Sequence, residues 1–347
     1  MKSAKSALTI SGEALVKVHM DLWLSNKFRW LSLIATWAVI CIHSRTDRWA
    51  SGVNDYASRL EMRAADLFFF AVPLFFVISG YMFVHSYNAY GWIGLLRRKF
   101  RSLYVPMLIW SVLGVSLCLP IRLYSHHDIP TMLDVVKLPL MAFRSEAVHF
   151  WYVRALIVFF VAAPLMAYVS RNIWLTSLLV CGALFIPGDS LLAQLHIPVA
   201  VVFFLLGTQL VRIKLANCHS RVWFGVCMVG LVFSFSLKGL VSQYVFSSFL
   251  EPLFMIGVLW FGYDIVDAKR HIGNFPESMH VLFFVYCMHL ITLCWFGGVL
   301  RGVLGNGPVA RLVGYFSMWL TFWLDVWMAN LTKRRLPCMY RLMSGGR

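Results

Sequence analysis

FRWLSLIATWAVICIHS, residues Phe28 to Ser44, is the stretch that decides the architecture. Its interior carries no charge; Arg29 stands at its front and His43 at its far end. A helix needs about 20 mostly apolar residues to cross a bilayer, so this run reads as a membrane helix bounded by a cation and a histidine. The same texture fills the 347-residue chain, which is 60% hydrophobic and 13% charged, with mean hydropathy +0.73. Soluble domains carry roughly 25% charged residues. The expected fold is therefore all-α: a polytopic membrane helix bundle. The apolar runs are continuous, which excludes a barrel, whose strands alternate in segments of about 10 residues.

Counting outward from the first run gives about ten transmembrane helices, at roughly 28–43, 66–84, 103–121, 150–169, 173–187, 196–213, 222–237, 248–263, 281–300 and 309–331. The domain reading is an N-terminal tail over 1–27, a membrane domain over 28–331 and a basic tail over 332–347. Lys and Arg favour one set of connections by roughly two to one, most densely at Arg97-Arg98-Lys99-Phe100-Arg101. Positive charge accumulates on the cytoplasmic side, so both termini are expected inside. Arg29 then enters from the cytoplasm and His43 lies near the outer face. A net charge of +16 distributed in this way speaks for topology, with no nucleic acid as partner. The eight cysteines form no CxxC pair and most lie inside apolar runs, as small buried residues do. The first 27 residues are polar and charge-interrupted, unlike a cleavable signal peptide.

Five short elements carry potential chemistry. His43 is a base that works near neutral pH, although helix ends also collect idle histidines. Arg98 and Arg101, spaced i,i+3, share a helix face and form a phosphate clamp or a plain topology signal. Ser79-Gly80, within AVPLFFVISGYMF, lets a helix or a ligand pass close to the backbone. His149-Phe150-Trp151-Tyr152 combines an interfacial aromatic belt with a histidine that the belt does not explain. Tyr286-x-x-His289 puts an ionisable ring well inside an apolar run, where it needs a polar cavity. Arg154, Glu251 and Asp325 are three more charges within spans. His126-His127-Asp128 has no convergent ligands and reads as solvated, so no metal is expected. No phosphate-binding glycine loop, HExxH or GxSxG is present.

In this order the elements resemble the membrane-bound acyltransferase-3 family, integral-membrane O-acyltransferases that modify bacterial surface glycans. The resemblance runs from about Phe28 to Leu331 and is most specific at Pro73 to Tyr81, PLFFVISGY. It is nearest to the compact members that acetylate enterobacterial common antigen or O-antigen. It implies a multi-pass protein of the bacterial inner membrane. It implies acetyl-CoA as acyl donor and a glycan or lipid-linked glycan as acceptor. His43 is then the catalytic base, with His289 orienting it or stabilising the oxyanion. Arg98 and Arg101 meet the donor phosphates, Ser79 lies along the pantetheine path, and His149 and Trp151 face the acceptor. Direct attack and a transient acyl-histidine both fit.

The family usually has Arg or Lys eleven positions before the histidine; here that position is Ser32. Eleven residues make about three turns, so both groups share one face roughly 16 Å apart. Arg29, fourteen before His43, lies roughly 40° off that face and one turn deeper, so Arg29 is expected to take the role. Lys27 falls on nearly the opposite face. Two other readings compete. One is a transporter or flippase-like protein for a lipid-linked glycan, which would predict an internal repeat that the sequence lacks. The other is a catalytically weakened family member.

Overall fold

The computed structural model describes residues 22–44, 67–124, 150–213, 220–237, 243–270, 272–304 and 308–346, and these are helical, with no strand among them. The helices are α1 (Leu22–His43), α2 (Ala71–Lys99), α3 (Val105–Tyr124), α4 (Trp151–Val161), α5 (Ala163–Arg171), α6 (Ile173–Leu184), α7 (Leu191–Gln194), α8 (Ile197–Ile213), α9 (Ser220–Ser236), α10 (Glu251–Arg270), α11 (Leu282–Leu304), α12 (Pro308–Arg335) and α13 (Pro337–Ser344). Three segments, Ala71–Cys118, Phe246–Asp267 and Leu282–Val299, are long and apolar enough to cross a membrane. The α4–α5 pair, bent by 81°, would add a fourth, and three shorter apolar helices accompany them. The chain is an integral membrane protein, helical and without strands among the described residues.

The sequence-derived spans differ from these helices in instructive ways. The expected connection between 84 and 103 is helical: α2 runs into a π turn at Phe100–Tyr104 and on into α3. Arg, Lys and Leu are good helix formers, so charge marks a departure from lipid there without ending the helix. Direction changes at Gly91, whose φ of 63° and ψ of −175° suit only glycine. The fourth span breaks at Ala162, and Trp92 Nε1 donates to the Val161 carbonyl oxygen exposed by that break, at 3.1 Å. The first helix starts at Leu22, six positions before the expected boundary. Its extra turns are tied to α10: Trp23 donates to Asp267 at 2.7 Å, and Lys27 pairs with Asp264 at 2.7 Å. At the other end, α12 continues to Arg335 and α13 folds back.

Gly80 and Gly207 lock α2 against α8. A β-carbon on Gly80 would overlap the Phe204 carbonyl oxygen, and one on Gly207 would overlap that of Val77. Small residues permit this backbone-to-backbone approach within membranes. Packing therefore accounts for Gly80, and nothing passes between these two helices. Around them, Phe76, Phe83, Phe159, Phe160 and Phe204 form a continuous aromatic core.

Candidate functional site

α1 and α11 bring His43 and His289 together from opposite ends of the chain, with ring centres 5.3 Å apart. His43 is the last residue of α1 and is half-buried; His289 is fully buried. His289 is the eighth residue of the 23-residue α11, so the pair lies along the body of that helix. His289 Nδ1 lies 2.6 Å from the Tyr286 carbonyl oxygen. A carbonyl can only accept, so Nδ1 carries the proton and, in the neutral ring, Nε2 is the acceptor.

Tyr286 continues the constellation. Its ring lies 5.9 Å from His289, 6.2 Å from Tyr152 and 6.0 Å from Phe75. The Tyr152 and Ser79 hydroxyls are 2.8 Å apart, and Tyr152 also donates to the Phe75 carbonyl oxygen at 3.4 Å. Ser79 is thus one end of a polar chain that crosses from α2 to α4 and stops beside Tyr286. Tyr152 was legible only as an interfacial aromatic; its hydroxyl contact with Ser79 required the fold. Trp151 points elsewhere, meeting the His196 ring at a tilt of 38° with centres 4.6 Å apart. His149 and His126-His127-Asp128 lie outside the described residues. Among the described residues no three His, Cys, Asp or Glu side chains converge as metal ligands.

The basic residues gather at one end of the bundle. Arg29 is exposed, and its Nη1 lies 3.4 Å from His280 Nε2, just before α11. His280 stacks on Phe275 at 5.4 Å, and Trp30 meets the same phenyl ring. Burial first, then the Arg29 and Lys333 charges, hold His280 below its ordinary pKa of 6.5. α13 links this corner to the π turn. Tyr340 donates to the His280 carbonyl oxygen at 3.5 Å, and Gly345 abuts the Ser102 backbone. Arg98 and Arg101 are exposed there. Arg98 lies in the last turn of α2 and Arg101 in the π turn that follows it. The Arg98 guanidinium lies over the Tyr90 ring, its Cζ 3.7 Å from the ring centre.

The three intramembrane charges go different ways. Thr292 Oγ1 donates to Asp325 Oδ1 at 2.6 Å, joining α11 to α12. Glu251 is buried at the start of α10. Arg154 borders a cavity of about 290 Å³ between α4 and the start of α8. Neither this cavity nor His196 stood out in the sequence.

A family model described as an acyltransferase domain matches residues 26–328, which takes in both histidines, the Ser79–Tyr152 pair and the basic end. No curated protein and no solved structure matches the chain.

Proposed function

The chain belongs to the acyltransferase-3 family, and from that premise we propose that it transfers an acetyl group from cytoplasmic acetyl-CoA to a hydroxyl of a cell-envelope glycan, in the bacterial inner membrane. The observation that carries this reading is the meeting of His43 with His289 beside Tyr286 and Tyr152. A base able to take a hydroxyl proton there has a second imidazole at its side and aromatic walls around it.

In this reading the donor phosphates settle on Arg29, Arg98 and Arg101 at the basic end. Fourteen residues of helix separate Arg29 from His43, roughly 21 Å along α1. The pantetheine arm covers that distance, and Ser79 with Tyr152 borders the inner end of its path. The glycan comes from the opposite side, past Trp151 and His149. His43 removes the proton from the sugar hydroxyl as its oxygen forms a bond to the thioester carbonyl carbon. The C–S bond then breaks, and the proton leaves with the coenzyme A thiolate.

The test is His43→Ala in purified, folded protein, measuring free coenzyme A released from acetyl-CoA in the presence of glycan acceptor. General-base catalysis contributes about 10²–10⁴-fold, and turnover should fall by that order. Unchanged turnover in the variant overturns the mechanism.

A further inference from the structure

α4 has two working faces. Tyr152 faces Ser79 and Tyr286. Trp151, Arg154 and Val158 line the 290 Å³ cavity, whose opposite wall is Gln194, His196 and Ile197. The volume is near the lower bound for small-molecule sites, about 300 Å³, and suits one sugar ring with a small substituent. The walls divide by chemistry. Trp151 and His196 are in ring contact, tilted 38° with centres 4.6 Å apart, and His196 is held at φ 54°, in the left-handed region that few non-glycine residues adopt. An indole beside an imidazole offers an apolar face and a hydrogen-bonding edge, the two surfaces that a pyranose ring also presents.

The guanidinium is the informative group. Arg154 Nε and Nη1 are buried and make no hydrogen bond, and among the described residues its side chain has no carboxylate partner. Taking a guanidinium out of water costs several kcal/mol unless an anion and hydrogen bonds offset it. Nη2 is the guanidinium nitrogen outside that buried set, and a carboxylate or phosphate beside the aromatic platform meets Arg154 there.

We propose that this cavity is the acceptor subsite and that the acceptor is an anionic glycan, whose carboxylate or phosphate sits on Arg154 while a sugar ring stacks on Trp151 and His196. The proposal rests on the glycan-acceptor reading above. α4 begins at Trp151, so a sugar held here reaches round the helix's first turn to the Tyr286–His289 side. With polar Gln194 and apolar Val158 and Ile197 all in its lining, the cavity suits a free acidic sugar or a lipid-linked sugar phosphate alike.

The test is calorimetric titration of the full chain in lipid nanodiscs with glucuronic acid, glucose 1-phosphate and glucose. The acidic sugars should bind at least tenfold more tightly than glucose, and whichever acid binds better identifies carboxylate or phosphate. Arg154→Gln should abolish the preference, Arg154→Lys should keep part of it, and both should bind acetyl-CoA like the wild type. Equal binding of glucose and both acids by the wild type, or undiminished acid binding by Arg154→Gln, overturns the proposal. If Arg154→Gln does not fold, His196→Ala and the wild-type acid preference decide: acidic-sugar affinity that His196→Ala leaves at full strength places the sugar elsewhere and overturns the proposal. Coenzyme A release is measured in parallel. Acid-selective binding without any release would remove the enzymatic reading and leave the anion subsite standing. Release with glucose alone would remove the subsite and leave the enzyme.

Discussion

His289 donates from Nδ1 to the carbonyl oxygen of Tyr286, one turn back on the same helix, at 2.6 Å. This bond fixes the tautomer and makes Nε2 an acceptor in the neutral ring. Of the two roles read from the sequence, oxyanion stabilisation needs a donor at the reacting atom. The tautomer suits the other role better, an acceptor that orients the His43 ring or takes a hydrogen bond from the sugar hydroxyl.

The first prediction follows from that distinction. His289→Asn can keep the bond to Tyr286 and loses the Nε2 acceptor; His289→Gln extends an amide oxygen toward the vacated position. Coenzyme A release should fall by about 10²–10⁴-fold in the Asn variant, the range for one acid–base group, and recover partly in the Gln variant. Thermal unfolding of both should stay near wild type. Equal, near-complete loss in both with a shared drop in melting temperature would assign His289 to packing alone.

The second concerns Arg29. It is exposed and close to His280 with Lys333 nearby, and it has no carboxylate partner among the described residues. Exposed ion pairs are worth about 0–1 kcal/mol, so Arg29→Ala should raise the KM for acetyl-CoA only several-fold, with kcat nearly unchanged. The effect should shrink at high salt, because charges beyond a Debye length of about 8 Å are screened at physiological ionic strength. A KM that does not move, at low salt as well as high, would make Arg29 a topology charge.

How far the sequence reaches is visible at these residues. His43, Tyr286 and His289 were legible because each is a polar interruption in an apolar run, and such interruptions need a reason. The helical-face arithmetic also held for Lys27, which points away from the site to Asp264. Ser79 was legible as a small residue, but its bond to Tyr152 was not, since pairing between separate helices leaves no trace in periodicity. The π turn at Phe100–Tyr104, into which Arg101 falls and Arg98 does not, is announced by no local pattern. The cavity at Arg154 escaped for a similar reason: half its wall comes from the start of α8, where His196 takes a backbone conformation that only the fold explains.

The third prediction is a pH dependence at the basic end. Burial, Arg29 and Lys333 depress the His280 pKa below 6.5. The unfolded chain therefore binds the proton more readily, and stability rises with pH wherever that holds. The contribution is complete above about pH 6.5 and is lost as pH falls through the lower folded value. Melting temperature in detergent, followed from about pH 7.5 down to about pH 5, should decline in the wild type and flatten in His280→Gln. The change should be modest, because His280 is exposed. Arg29→Ala should move the midpoint of the decline upward; a midpoint that stays put would remove Arg29 as a cause.

The fourth prediction concerns what holds α1 in place below the histidine. Lys27 is fully buried and Asp264 nearly so, with 2.7 Å between Nζ and Oδ1. The ammonium also lies 4.3 Å from the Trp260 ring centre and 5.2 Å from that of Trp23, and Ser220 donates to the other carboxylate oxygen at 3.3 Å. A buried pair with this many partners is costly to break from one side, because the surviving charge stays buried; removing one partner typically costs about 3–5 kcal/mol. Replacing both charges leaves no orphan and is often nearly neutral. Lys27→Met alone should therefore lower the melting temperature sharply, while Lys27→Met with Asp264→Asn should recover most of the loss. Activity should follow stability, since α1 carries His43 at its far end and loses its anchor to α10 when the pair is broken. A double variant no more stable than Lys27→Met would show that the aromatic contacts of the ammonium, rather than the unpaired carboxylate, account for the effect.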